Sequence, residues 1–253
     1  MTPNPTTPPR SLICMQYYEG DRLKAYETLR YYVDIQPARC ETADIMMVRR
    51  RGTVTDKKTE AIIKHVSRKF NVSLYETDRH ETGWPAGCNG MVFSIFNHVL
   101  NIQRGTGVKY DNFVLLESDA YPLVPGWIVQ LQAAWSKRSR EVIMGDLVDE
   151  CPHPTAGRHC NGNMMMTTDI KWLEKLVRIA GVPGGVGWDW ALAPMFNLAG
   201  ILDTPLIKSE WGSKTASKSH LDRLLKINVA LLHGVKDDSV IQWGRAKYNL
   251  PTT

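Results

Sequence analysis

Two short segments hold most of the residues that could do chemistry. An apolar run, Phe113-Val114-Leu115-Leu116, stops abruptly at Glu117-Ser118-Asp119-Ala120. Residues i and i+2 of an extended segment point to the same side, so both carboxylates can face one ligand. Hard oxygen donors in that arrangement suit a divalent cation, and a cation suits a diphosphate. Standing alone, such a pair is most often a turn with an Asp helix cap. The second segment is Leu231-Leu232-His233-Gly234-Val235-Lys236-Asp237-Asp238, where an imidazole, a glycine and an ammonium again follow apolar residues. A mixed carboxylate and imidazole shell suits Mn²⁺ better than Mg²⁺, which prefers oxygen ligands and water. Gly234 would let backbone approach a phosphate closely, and Lys236 would add a positive charge beside it. Either segment alone is ambiguous; together they are far more specific.

Strands and helices must bring these two points together. Ser11–Tyr17 is a compact apolar run, and residues 21–33 place Leu23, Tyr26, Leu29, Arg30 and Val33 at helical spacing. Residues 43–48 read as a second strand, 57–70 as an amphipathic helix, and 72–75 as a short third strand. Residues 89–102 read as a helix apolar on most faces, and Asn112–Leu116 as a buried strand. This alternation predicts an α/β domain with parallel pairing, right-handed crossovers and helices on both sheet faces. Ligands then collect beyond the carboxyl ends of the strands, where Glu117 and Asp119 fall. The second half is less regular. Residues 142–144 and 163–168 read as strands separated by a polar loop, and 169–179 as a helix with Asp169 as N-cap. Pro183-Gly184-Gly185 breaks the chain before a helix over 188–198. The polar, basic stretch 208–226 reads as a mobile flap, 227–232 as the last strand ending at His233, and 237–247 as a final helix.

The 253 residues are enough for one sizeable domain and short for two. Residues 1–10 carry four prolines and no apolar stretch, and read as a disordered lead-in; residues 11–253 form the domain. The net charge of +5 is uneven: residues 1–70 hold 13 basic and 8 acidic side chains, against 18 of each in residues 71–253. A basic face of this size suits an anionic partner such as a nucleotide or a nucleic acid, and equally a solvated surface. No apolar run approaches the roughly 18 residues of a membrane span. Five cysteines without an export signal imply reduced thiols and a cytoplasmic location, the host cytoplasm if the chain is virus-encoded.

With these residues in view, the sequence resembles the GT-A superfamily of nucleotide-sugar-dependent glycosyltransferases. Glu117-Ser118-Asp119 resembles their DxD metal motif, with Glu in place of the first Asp, and is followed by Tyr121-Pro122-Leu123 and Pro125-Gly126-Trp127. His233-Gly234-x-Lys236-Asp237 resembles their late metal-ligand histidine with a lysine at the donor diphosphate, in a more compact spacing. Asn161-Gly162-Asn163, leading into residues 164–167 and Trp172, is similar to the acceptor-side segment. The resemblance implies a Rossmann-like, mostly parallel central sheet, with residues 11–119 binding the nucleotide sugar and 120–253 the acceptor. It makes Asp119 the first metal ligand, His233 the second and Glu117 the third, with Mn²⁺ or Mg²⁺ as the ion and a UDP-sugar as donor.

Breaking a sugar–diphosphate bond builds negative charge on the leaving phosphate, which a metal and Lys236 would stabilise. An inverting reaction also needs a base for the acceptor proton. Asp189, in Gly187-Trp188-Asp189-Trp190, is the candidate, because partial burial between two indoles would raise its pKa; it reads equally as a helix-cap acid. A retaining reaction would need no such base. The donor nucleotide is expected over Tyr17, Glu19, Arg49 to Arg51 and the segment Trp84-Pro85-Ala86-Gly87-Cys88-Asn89-Gly90, at or beyond strand ends. Cys151, His153, His159 and Cys160 have the type and number of a structural Zn²⁺ site, although their spacing favours a plain acceptor-side loop.

Two acceptors fit: a saccharide, free or lipid-linked, and a 5-hydroxymethylpyrimidine base in DNA. The Arg49-Arg50-Arg51 run and Lys208, Lys214, Lys218, Arg223 and Lys226 tilt the expectation towards DNA. Eight tryptophans serve either, since indoles stack on sugars and bases alike. A module that binds a nucleotide sugar or nucleic acid without transfer is the non-enzymatic alternative.

Overall fold

The computed structural model describes residues 9–149, 157–179, 185–210 and 213–251. All seven residues of Ser11–Tyr17 (β1) are buried, as a strand covered on both faces requires. Its alternate side chains divide between two cores. Ile13, Met15 and Tyr17 join one, and Leu12 and Cys14 the other.

The chain continues through Arg22–Ile35 (α1), Ala43–Arg49 (β2), Lys57–Val66 (α2), Asn71–Glu76 (β3), Ala86–Arg104 (α3) and Asn112–Leu116 (β4). It then forms Ala120–Pro122 (β5), Trp127–Trp135 (α4), Ile143–Val148 (β6), His159–Thr167 (β7), Ile170–Ile179 (α5) and Trp188–Ala199 (α6). Ile201–Asp203 (β8), Ile207–Ser209 (β9), Lys218–Lys226 (α7), Leu231–His233 (β10) and Ser239–Tyr248 (α8) complete it. The central sheet has the order β3-β2-β1-β4-β7-β6-β8. The apolar faces of α1, α2 and α4 cover one side, and those of α3, α5 and α6 the other. This is the expected mostly parallel α/β domain. No helix among the described residues is long and apolar enough to cross a membrane.

Several elements depart from the sequence reading. β7 runs antiparallel to both β4 and β6, and it begins at His159, inside the expected polar loop. The stretch 208–226 was expected as a flap, but it starts in β9 and ends in α7. Ile207 is buried against β10, and Leu221 and Leu224 are buried on α7 three residues apart, which anchors both ends. The last strand shortens to Leu231–His233, because Asn228 turns the chain at φ 64° just before it. β5, β8 and α4 were not anticipated; two of them are three-residue strands, too short to show a period.

A second sheet, β5-β10-β9, is what joins the two chemical segments. β10 pairs antiparallel with β5, in the register His233↔Ala120 and Leu232↔Tyr121. His233 is thereby set beside the residue that follows Asp119.

Candidate active site

β4 ends at Leu116, and the chain then turns through Glu117-Ser118-Asp119 into β5. Helix α1 fixes this turn from below. The Thr28 hydroxyl donates to the Ser118 carbonyl (2.6 Å), and one turn later the Tyr32 hydroxyl donates to the Ala120 carbonyl (2.8 Å). Ser118 Oγ donates to Asp21 Oδ2 (2.8 Å), and Asp21 Oδ1 accepts the Tyr18 amide (2.8 Å), so the turn is tied to the exit of β1. Burial pushes the Asp21 carboxyl above its usual range. From β7, Asn163 Oδ1 accepts the Glu117 amide (2.9 Å) while its side chain is fully buried.

The geometry brings Glu117, Asp119 and His233 together, with one ligand atom from each lying within 4.8 Å of the others. His233 Nε2 is 3.1 Å from Glu117 Oε2 and 3.4 Å from Asp119 Oδ1. Lys236 Nζ is 2.5 Å from Asp119 Oδ2. Burial alone would raise the Asp119 pKa, but His233 and Lys236 outweigh it and hold the carboxyl at about 2. Burial would likewise lower the His233 pKa, but its hydrogen bonds with Asp119 and Glu117 push it up to about 9. The protonated imidazole and Lys236 balance the two carboxylates, and a cation bound here would take the place of the proton on His233 Nε2. Two oxygens and a nitrogen make a donor set that fits a Mn²⁺-like cation.

Gly234 follows at φ 102°, and a Cβ there would stand 2.5 Å from the Glu210 carbonyl oxygen, so this position requires glycine. Gly162 serves in a similar way opposite Glu117, where a Cβ would meet Glu117 Oε1 at 3.1 Å.

These groups open into a cleft of about 370 Å³ at the carboxyl ends of β1 and β4. Glu117, Gly162, Gly234, Lys236, Trp188 and Asp189 line it. Tyr18, Trp84 and Cys88 complete the rim. Asp189 stands in the first turn of α6. Burial pushes its pKa up to about 6, against the opposing pull of His159 and the first-turn amides. A larger, open hollow of about 620 Å³ lies between α7 and α8, but its one carboxylate, Asp222, is taken by Trp243 Nε1 (3.2 Å) and Lys247 (3.5 Å).

Other expected nucleotide contacts sit elsewhere. Tyr17 faces the core edge-on to Tyr26, because strand parity sends it with Ile13 and Met15; Tyr18 takes the cleft wall instead, with the Arg50 guanidinium 4.9 Å from its ring centre. Glu19 accepts the Val54 amide and pairs with Arg22, and Arg49 is engaged by Glu76 (2.8 Å) and the Thr53 carbonyl. Gly87 gives Arg50 room, since a Cβ would lie 3.2 Å from its Nη1. Asn89 Nδ2 donates to the Val186 carbonyl (3.0 Å), tying α3 to the loop before Asp189. Tyr18 escaped the sequence reading, which named Arg50 only within the Arg49-Arg50-Arg51 run and Asn163 only within the acceptor-side segment. A tyrosine just past a strand end was the available signal for the first.

Of the four zinc candidates, Cys151 and His153 lie outside the described residues. His159 Nε2 is engaged by the Trp190 indole N–H (3.1 Å), and Cys160 is buried in the core on the α3 side of the sheet.

No protein-family model matches the sequence, and neither does any curated protein. Solved structures do share the fold. An active-site variant of LgtC matches with a TM-score of 0.60 at 9% identity, over 96% of this chain and 97% of that one. The bifunctional glycosyltransferase WbbM, in its apo structure, matches at 0.59 and 11% identity over 98% of this chain, which spans about half (51%) of WbbM. Mouse xyloside xylosyltransferase 1 matches at 0.50 and 11%, over 96% and 100% of the two chains. At these identities the likeness speaks for architecture. The chain has the mixed α/β fold, with a mostly parallel central sheet, of GT-A glycosyltransferases.

Proposed function

We propose that this chain is a metal-dependent glycosyltransferase that moves a hexose from a nucleotide sugar, UDP-linked by the resemblance, to a saccharide hydroxyl. The convergence of Glu117, Asp119 and His233 at the strand ends of a GT-A-like fold carries this reading. A bound Mn²⁺ would neutralise charge on the donor diphosphate. Lys236, beside Asp119 in the same cleft, adds a second positive charge where the leaving phosphate becomes more negative as the bond breaks. Asp189 accepts the proton of the acceptor hydroxyl. The acceptor oxygen forms the new bond to the sugar C1, and the C1–O bond to phosphate breaks. Its electron pair leaves with the nucleoside diphosphate. This route gives inversion at C1, and Asp189 is its general base. In this reading residues 11–119 supply most of the donor contacts and 120–253 most of the acceptor contacts, with Lys236 crossing to the donor diphosphate.

A hydroxymethylpyrimidine in DNA draws less support than the sequence alone lent it. Arg49 pairs with Glu76, Lys208 with Asp146 (3.2 Å), and Arg223 lies against His220 (2.7 Å), so three of the eight basic side chains have internal partners. The test combines purified protein, Mn²⁺ and a panel of UDP-sugars with oligosaccharides and hydroxymethylcytosine DNA in parallel, read by mass spectrometry. A hexose-sized gain on an oligosaccharide supports the proposal. A gain confined to the DNA moves the acceptor to the base. Nucleotide-sugar binding without turnover makes the chain a binding module.

A further inference from the structure

Among the described residues, only two aromatic side chains are largely exposed, Tyr18 (43%) and Trp84 (64%), and both stand on the rim of the same cleft. An indole left in water forgoes one of the larger apolar burials a protein can make, so its exposure at the mouth of the cleft that holds Glu117 and Asp189 calls for a partner. The two rings have different neighbours. Tyr18 follows β1 and has Arg50 over its ring. Trp84 leans on Trp190, with ring centres 6.3 Å apart and planes at 79°, and Trp190 is the residue next to Asp189 on α6. Trp190 is itself held by its indole N–H on His159 (3.1 Å), and the Asn89–Val186 bond fixes α3 against the same loop. The Trp84 ring is therefore a braced surface on the Asp189 side of the cleft.

Resting on the transferase reading, we propose that Trp84 is the stacking platform for a pyranose acceptor and orients one acceptor hydroxyl towards Asp189. A pyranose ring has an apolar face of C–H bonds, which the electron-rich face of an indole attracts, while its hydroxyls stay free at the ring edge. Stacking fixes the plane of the acceptor but not its rotation, so Trp84 selects for a flat-faced sugar, and the groups around Asp189 select the hydroxyl. The contacts divide the substrates accordingly, with the acceptor on Trp84 beside the Asp189 helix and the donor diphosphate at Lys236 and Asp119.

The experiment measures transfer to a panel of pyranosides and, in the same reactions, hydrolysis of the UDP-sugar, for wild type, Trp84→Ala, Trp84→Leu and Trp84→Phe. Hydroxymethylcytosine DNA serves as a further acceptor, and a thermal melt confirms that each variant is folded. The proposal expects the acceptor KM to rise at least tenfold in Trp84→Ala and Trp84→Leu, with Trp84→Phe recovering much of the loss. The partition between transfer and hydrolysis should shift towards hydrolysis by a similar factor. An unchanged acceptor KM in Trp84→Ala overturns it. So does a rise in donor KM that matches the loss of transfer, which would place the indole in the donor site. Hydrolysis by wild type with no pyranoside accepted, or with DNA accepted instead, overturns the pyranose assignment alone. Neither hydrolysis nor transfer by wild type removes the transferase reading itself.

Discussion

Gly162 lies so close to Glu117 that a Cβ on it would stand 3.1 Å from the Glu117 carboxylate oxygen. A residue of β7 thus sets the space in which Glu117, the proposed cation ligand on the β4–β5 turn, can move. In Gly162→Ala the methyl group crowds the Glu117 carboxylate, which must shift to make room and so loosens its contact with His233. Mn²⁺ affinity should fall about tenfold with the melting temperature nearly unchanged, as read by calorimetric titration beside a thermal melt.

Asn163 works on the same turn through the backbone. Its Oδ1 accepts the Glu117 amide in a fully buried setting. Asn163→Leu leaves that donor unpaired and should cost about 1–3 kcal/mol in urea unfolding. Asn163→Asp keeps the acceptor and should restore much of the turn's geometry, read as recovery of Mn²⁺ affinity.

Much of this arrangement was legible in the sequence, and the remainder has physical reasons for being hidden. β1 and β4 announce themselves as unbroken apolar runs because they are covered on both faces. Glu117, Asp119 and His233 stand out as polar groups that end such runs. The contact between them depends on β5 pairing with β10, two three-residue strands far apart in the chain, and strands so short carry no period. The role of Asn163 is equally hidden, because a side chain bonding to a distant backbone amide leaves no local pattern. Tyr17 and Tyr18 differ by one residue, and only the register of β1 decides which faces the core.

The pKa of Asp189, raised to about 6, predicts a pH profile. A base must be ionised to accept a proton, so transfer should fall below pH 6 along a limb with an apparent pKa near that value. Asp189→Asn should lower transfer at least a hundredfold and abolish the limb, as measured by initial rates from pH 5 to 8.

The same shift has a consequence for stability with the opposite sense. A carboxyl whose folded pKa lies above its unfolded value binds its proton more tightly when folded. Its contribution is full below the unfolded pKa and is lost as pH rises through about 6. At pH 7 the native state holds an ionised, partly buried carboxylate, so Asp189→Asn should be more stable than wild type by about 1–2 kcal/mol. At pH 4 the two should unfold alike in urea.

Gly234→Ala tests the backbone of the late segment. The substitution meets the Glu210 carbonyl oxygen at 2.5 Å and φ 102°, so His233 and Lys236 cannot both keep their places. A loss of about 1–3 kcal/mol in stability is expected, together with weakened Mn²⁺ binding. Urea unfolding and metal titration of the same preparation check it.

The central claim is that Glu117, Asp119 and His233 hold a divalent cation that supports sugar transfer. Its most direct test is the release of nucleoside diphosphate from a UDP-sugar panel, with Mn²⁺ and with EDTA, by wild type, Asp119→Ala and His233→Ala. The account predicts release that requires Mn²⁺ and falls at least a hundredfold in both variants while each remains folded. Release that persists in EDTA, or that is unchanged in both variants, would contradict it.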